Sequence, residues 1–154
     1  MARLRAGIVG AGIAGANCAG TLAAAGWEVD VFEKAPAAGG RLASRRMEQG
    51  WATLGSAFIS ARRDPFRSQL RDWVRQGWLE PMRSGILQGC ANKAWSQAQL
   101  QNHFRPIIEP SHLVRQLLGD ARLHLQTGVA ALQPRTLILE DGRVLDDYDC
   151  VVCS

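Results

Sequence analysis

The chain has 154 residues, 47% of them hydrophobic and 21% charged, with a formal net charge of +4 and a pI near 9.2. This is ordinary globular composition and predicts one core; the modest positive balance permits contact with an anionic cofactor or nucleic acid without demanding it. No apolar run approaches the roughly 20 residues of a membrane span, so no membrane-crossing helix is expected in these residues.

The N-terminus, Met-Ala-Arg-Leu-Arg followed by Ala6 to Ala16, superficially mimics a secretory signal. Its glycines make a poor signal helix, and a nucleotide motif explains each of them better. Leu4 to Val9 suits a short buried strand. Gly10-Ala11-Gly12-Ile13-Ala14-Gly15 then has the G-x-G-x-x-G spacing, with Gly10 for a tight turn, Gly12 for close backbone approach to a pyrophosphate, and Gly15 for helix-on-strand packing. The following helix, Ala14 to Ala25, turns Ala19 and Leu22 inward and ends at Gly26. Its N-terminus offers free N–H groups and a dipole to an anion. Glu28 to Phe32 reads as the second strand, and Glu33, twenty-three positions after Gly10, can accept both ribose hydroxyls. A Gly/Ala-rich helical hairpin would account for none of the flanking features. The expected fold class is therefore α/β, a Rossmann-like parallel sheet, and the expected ligand a phosphate-bearing adenosine cofactor.

After Lys34 comes a second glycine pair with an arginine, Gly39-Gly40-Arg41, where the loop can pass close to the phosphates and Arg41 can add a guanidinium fork. This pattern resembles the FAD-binding segment of the glutathione-reductase-like flavoproteins, in particular their amine-oxidase branch. Arg41 to Arg46, Leu54-Gly55-Ser56-Ala57-Phe58 through Arg62, Phe66 to Trp73 and Gly77 are similar to bacterial renalase-like flavin oxidoreductases. The resemblance implies FAD as cofactor, with Leu54, Gly55 and Ser56 passing beside the flavin ring system. Two positions depart from the family: the acid usual near Thr53 is missing, and a polar side chain common near Ala57 is a methyl group.

Asp64-Pro65 predicts a helix start, with Phe66, Leu70, Trp73 and Val74 at helical spacing and Gly77 as its stop. Arg67, Arg71 and Arg75 form an adjacent row. Arginines interleaved with aromatics could serve nucleic acid, but Asp64 and Asp72 dilute the charge and the aromatics are expected to face inward. A solvated face, and no nucleic-acid partner, is the expectation. From Trp78 to Arg105 the signals are poor: Trp95 and Phe104 read as packing residues, and Gly85, Gly89 and Asn92 as turns. His103, His112 and His124 lie on separate segments with no carboxylate or cysteine at catalytic spacing, so no catalytic residue and no metal site is expected.

Glu109-Pro110-Ser111 opens a further helix with Leu113, Val114, Leu117 and Leu118 as its stripe and Gly119 as its stop. Leu123 to Leu125, Val129 to Leu132, Thr136 to Leu139, a Glu140 to Arg143 turn and Val144-Leu145 read as a strand followed by a meander. By the resemblance, Val129 presents backbone to the adenine and Tyr148 to Ser154 is the fourth strand of the nucleotide sheet. Cys18, Cys90, Cys150 and Cys153 read as small core hydrophobes in a reducing, cytoplasmic setting, since three-residue spacing in a strand puts Cys150 and Cys153 on opposite faces.

These readings divide the chain into residues 1–60 (FAD-binding βαβ and flavin-proximal loop), 61–110 (part of a substrate domain) and 111–154 (helix, meander and returning strand). The family pattern continues past Ser154, so its C-terminal half is expected to be absent here. Marginal stability alone, or completion by a second chain or a homo-oligomer, is then expected. The implied activity is hydride transfer from a small substrate, an amine or a dihydronicotinamide-like molecule, to flavin, with oxygen as acceptor. The alternative is a non-catalytic dinucleotide-binding module or one subunit of a split flavoenzyme.

Overall fold

The structure, a computed structural model, describes residues 2–83, 87–89, 96–97 and 102–154. The expectations for Gly85, Cys90, Asn92 and Trp95 lie outside the described residues. In chain order the elements are β1 (Arg5–Val9), α1 (Ile13–Ala24), β2 (Glu28–Phe32), a 3-10 turn (Gly40–Leu42), β3 (Ser44–Met47), β4 (Gly50–Thr53), β5 (Ile59–Ser60), α2 (Asp64–Arg75), β6 (Leu79–Pro81), β7 (Leu87–Gln88), β8 (Ser96–Gln97), β9 (His103–Pro106), α3 (Pro110–Leu117), β10 (Arg122–His124), β11 (Val129–Gln133), β12 (Thr136–Leu139), β13 (Val144–Leu145) and β14 (Cys150–Cys153). They fall into two compact units, residues 1–55 with 109–154, and residues 56–108.

The first unit is α/β and Rossmann-like. Its parallel sheet has the order β10-β2-β1-β14, with Ala6 opposite Cys150 and Val29, and Val31 opposite Leu123. Strand order reverses at β1, because the chain steps outward through β2 and β10 and then returns to β14 on the other side. Alternate residues of β1 serve the two faces. Ala6 and Ile8 are fully buried on the face that carries α1, together with Val29 and Val31. Helix α3 packs beside α1 at Gly20, where any Cβ would collide with the Leu117 carbonyl.

The antiparallel meander β11-β12-β13 covers the other face. Close approach there depends on Gly7: a Cβ on it would lie 2.8 Å from Leu137 and 3.1 Å from the Tyr148 ring. Phe32, Leu137, Leu139 and Tyr148 make the resulting core, flanked by Val9, Val129, Leu145 and Val151. Helix α1 starts and ends one residue earlier than expected, with Ala25 as its C-cap and Gly26, at φ +87°, just past it. Leu22 is half-buried while Ala16 and Ala19 carry the buried stripe, because the close helix–helix approach favours methyl groups.

The second unit holds α2 and the antiparallel sheet β5-β9-β6. Among the described residues Leu70, Trp73, Leu79, Ile59, Ala61 and Phe104 are buried in it, and Phe104 packs as its pattern predicts. Phe66 does not face inward: it stands edge-on to Trp73 at 6.2 Å and is 38% exposed at the helix start. Asp64 pairs with Arg67 at 3.1 Å and Asp72 with Arg75, the i,i+3 ladder of a solvated face. Among the described residues no helix is long and apolar enough to cross a membrane.

Candidate nucleotide-binding site

The switch in strand order places the carboxyl end of β1 beside that of β14, the position where open parallel sheets bind ligands. A cavity of about 570 Å³ lies there, within the roughly 300–1,000 Å³ common for ligand sites. Gly10, Gly12, Ile13, Ala14, Glu33, Lys34, Gly40, Arg41 and Val129, all anticipated from the sequence, line it.

Each glycine of the first turn has its own geometry. Gly10, at φ +98°, turns the chain out of β1 and donates its N–H to Phe32 O at 2.8 Å. Gly15 is pressed so closely on that turn that a Cβ would collide with the Gly10 carbonyl. Gly12 differs: it caps α1 with no side-chain hydrogen bond, and nothing lies within 4 Å of where its Cβ would be. That open space sits against the free N–H groups of the first turn of a twelve-residue helix, whose first turn has no acid. Such an arrangement can hold an anion, and a methyl group on Gly12 would fill the space.

Glu33 follows β2 directly. Its Oε2 accepts the Ala11 N–H at 2.9 Å and its Oε1 accepts the Ala35 N–H at 2.8 Å. A carboxylate has about four acceptor positions, so both oxygens keep capacity for hydroxyl donors. Ala11 itself is buried and does not line the cavity; its backbone ties the turn together, receiving the Gly39 N–H on its carbonyl at 2.9 Å. The second glycine pair is therefore required by protein packing: a Cβ on Gly40 would lie 3.1 Å from Gly12 Cα, and one on Gly39 2.8 Å from Ala43 Cα. Arg41 and Lys34 are exposed at the rim, and among the described residues neither side chain has a hydrogen-bond or ion-pair partner.

Leu54 and Gly55 do not line this cavity. Leu54 is 66% exposed and donates its N–H to Ala43 O at 2.9 Å, while Gly55 packs against the Arg41 backbone. Ser56 begins the second unit, where its hydroxyl donates to Phe58 O at 2.6 Å. Hairpin β3–β4 is fastened by Glu109, which accepts from Arg46 at 3.0 Å, Ser44 at 3.1 Å and Ser111 at 2.9 Å. The Arg46 and Ser111 bonds hold the Glu109 carboxyl below the usual carboxylate range.

Residues the sequence did not single out also line the cavity, notably Thr127, Glu140 and Ser154. Their signal is topological: the loop after β10, the turn after β12 and the end of β14 converge only in the folded sheet. On the meander face the fold brings together a histidine and a carboxylate that are 94 residues apart in the sequence. His124 Nε2 lies 2.8 Å from Asp30 Oδ1, and Arg122 grips both Asp30 oxygens at 3.0 and 3.2 Å. Burial pushes the Asp30 carboxyl up, but the His124 and Arg122 hydrogen bonds outweigh it and hold the group below its ordinary range. The Tyr148 hydroxyl donates to Asp30 at 3.3 Å, and burial together with the Asp30 charge pushes its pKa up to about 12.

The cysteine expectation is corrected as well. Cys153 is exposed and Cys18 and Cys150 are half-buried, all three as free thiols. Burial, then the neighbouring Cys150, raises the Cys18 thiol above its usual range. Among the described residues no group of three or more His, Cys, Asp or Glu could hold a metal ion.

Residues 8–75 match the family model described as an NAD(P)-binding Rossmann-like domain. Among solved structures, the chain resembles the tetrameric form of 2-methyl-3-hydroxypyridine-5-carboxylic acid oxygenase at 23% identity and TM-score 0.61, covering 98% of this chain and 39% of that one. It resembles a protein from Pyrococcus furiosus at 14% identity and TM-score 0.64, covering 98% and 59%. Tetracycline destructase Tet(51) matches at 18% identity and TM-score 0.60, covering 99% and 38%. These likenesses show a shared fold, and the chain spans about two-fifths of the length of the oxygenase. The fold and the glycine motif are consistent with a dinucleotide cofactor.

Proposed function

We propose that the chain is the FAD-binding portion of a flavin-dependent oxidoreductase. The observation that carries this reading is the open cradle at Gly12: the missing Cβ faces free space at the N-terminus of α1, in one cavity with the Glu33 carboxylate and the unpaired Arg41. The residues present fit the group. The amides at the start of α1 would hold the pyrophosphate, Glu33 would accept the ribose hydroxyls, Arg41 and Lys34 would balance phosphate charge, and the Val129 backbone would meet the adenine.

When bound, the flavin supplies two-electron chemistry, taking hydride from a small amine or dihydronicotinamide-like substrate and passing electrons to oxygen. The protein's part is placement. Two backbone hydrogen bonds fix Glu33, and the Gly39–Ala11 bond fixes the loop that carries Arg41. The free thiols support a reducing, cytoplasmic setting.

A second reading, a non-catalytic dinucleotide-binding module or a subunit completed by another chain, is favoured by one observation: among the described residues no His, Cys or Tyr lines the cavity.

The test is a visible spectrum of the purified chain titrated with FAD, with Gly12→Ala as the control. Because nothing meets the added methyl, the variant is expected to keep its stability within about 0.5 kcal/mol and to lose FAD affinity at least tenfold. Unperturbed flavin in both proteins, with the chain folded, overturns the reading. A bound flavin that no amine or dihydronicotinamide bleaches without oxygen favours the second reading.

A further inference from the structure

Beyond the phosphate and ribose contacts, the far end of the cavity carries a specificity element. A dinucleotide anchored by its phosphates at α1 and by its ribose at Glu33 extends its base away from α1. In this sheet that direction is fixed by strand order: β2 lies between β1 and β10, so the base falls beside the loop that leaves β10. That loop is tied to Glu33, whose carbonyl accepts the Thr127 N–H at 2.9 Å and whose N–H donates to His124 O at 2.9 Å. The cavity residues there are Thr127, Val129 and Glu140.

Thr127 is occupied, its hydroxyl donating to Leu125 O at 2.9 Å. Glu140 is not: among the described residues its carboxylate has no hydrogen-bond or ion-pair partner. Its backbone is held beside Gly128. Its N–H donates to Gly128 O at 2.9 Å, and its carboxylate lies across Gly128 so closely that a Cβ on Gly128 would collide with both the carboxylate carbon and Oε2. Gly128 thus makes room for one acidic side chain at the mouth of the cavity, next to Val129. A carboxylate only accepts hydrogen bonds at neutral pH, so it selects a base edge that donates.

We infer that Glu140, seated on Gly128, is a specificity residue that accepts a hydrogen bond from the exocyclic amine of the adenine base and rejects bases bearing a carbonyl at that position. This rests on the dinucleotide reading above. Adenine presents an amine there, whereas hypoxanthine and guanine present an oxygen, which would face the carboxylate as one acceptor against another.

The test is equilibrium binding of FAD and of its hypoxanthine analogue to the full chain, comparing wild type with Glu140→Ala and Gly128→Ala. Wild type is expected to prefer FAD by about tenfold or more, the discrimination typical of a charged hydrogen bond left unmade. Glu140→Ala should bring the two ligands within about twofold of each other. Gly128→Ala leaves the carboxylate in the chain but displaces it, and should lose discrimination in the same way. Equal binding of the two ligands by wild type, or undiminished preference in Glu140→Ala, overturns the inference while leaving FAD binding intact. Failure of both ligands to bind the folded wild type overturns the dinucleotide reading and this inference with it.

Discussion

Glu33 and Ala11 are joined across 22 residues by a 2.9 Å hydrogen bond in which the buried Ala11 N–H donates to the Glu33 carboxylate. The residue that the sequence reading assigns to a ribose therefore also holds the glycine-rich turn in shape. Under the proposed function, ligand recognition and local folding share one side chain, and substitutions here read on both.

Glu33→Ala should lower stability as well as affinity. It strips the acceptor from two backbone N–H groups, one of them buried, at an expected cost of about 1–3 kcal/mol. Urea denaturation without cofactor measures this. Unchanged stability would mean that water replaces the carboxylate at Ala11.

Gly15→Ala and Gly20→Ala should be tolerated far less well than Gly12→Ala. The added methyl strikes the Gly10 carbonyl in the first case and the Leu117 carbonyl in the second. Backbone cannot retreat cheaply, so each is expected to cost about 2–3 kcal/mol. The ranking of the three alanine variants by denaturation midpoint is the readout.

Tyr148 should make the protein sensitive to alkali. Its folded pKa of about 12 lies above the unfolded value of about 10, so its contribution is complete below the unfolded value and is lost as pH rises through the folded one. Tyr148 is the chain's single tyrosine, so tyrosinate absorbance reports it alone. Tyr148→Phe should remove this alkaline loss and cost about 0.5–1.5 kcal/mol at neutral pH through the missing bond to Asp30.

Glu109→Gln should loosen hairpin β3–β4. The folded Glu109 carboxyl is depressed, so its contribution is present above the ordinary carboxylate pKa and disappears only as pH falls through the lower folded value. Amide exchange across Ser44–Met47 should quicken about tenfold in the variant at neutral pH, consistent with losing the charged bond from Arg46. Identical exchange in both proteins would assign the hairpin's order to its own cross-strand bonds.

The first βαβ unit was legible because its signals are local. A turn that needs positive φ, a cap, a run of β-branched residues and the acid at a strand's end are each properties of a few neighbouring residues, and β2 and α3 fall where those signals put them. The seats of Phe66 and Cys153 were not legible, because helical and strand periods give a face without saying what covers it.

Residue order by itself determined the α/β class, the glycine turn, the pairing of Glu33 with that turn in one site, and the strands of the meander. Tertiary structure alone decided that Gly39 and Gly40 are small because Gly12 and Ala43 press on them, and that His124, Arg122 and Tyr148 converge on Asp30. It also decided that Glu140 rests on Gly128 at the cavity mouth. The physical reason is the same in each case. Sequence spacing does not show which backbone or side chain lies against each of these residues; that is decided by how the turns, the parallel register and the meander pack.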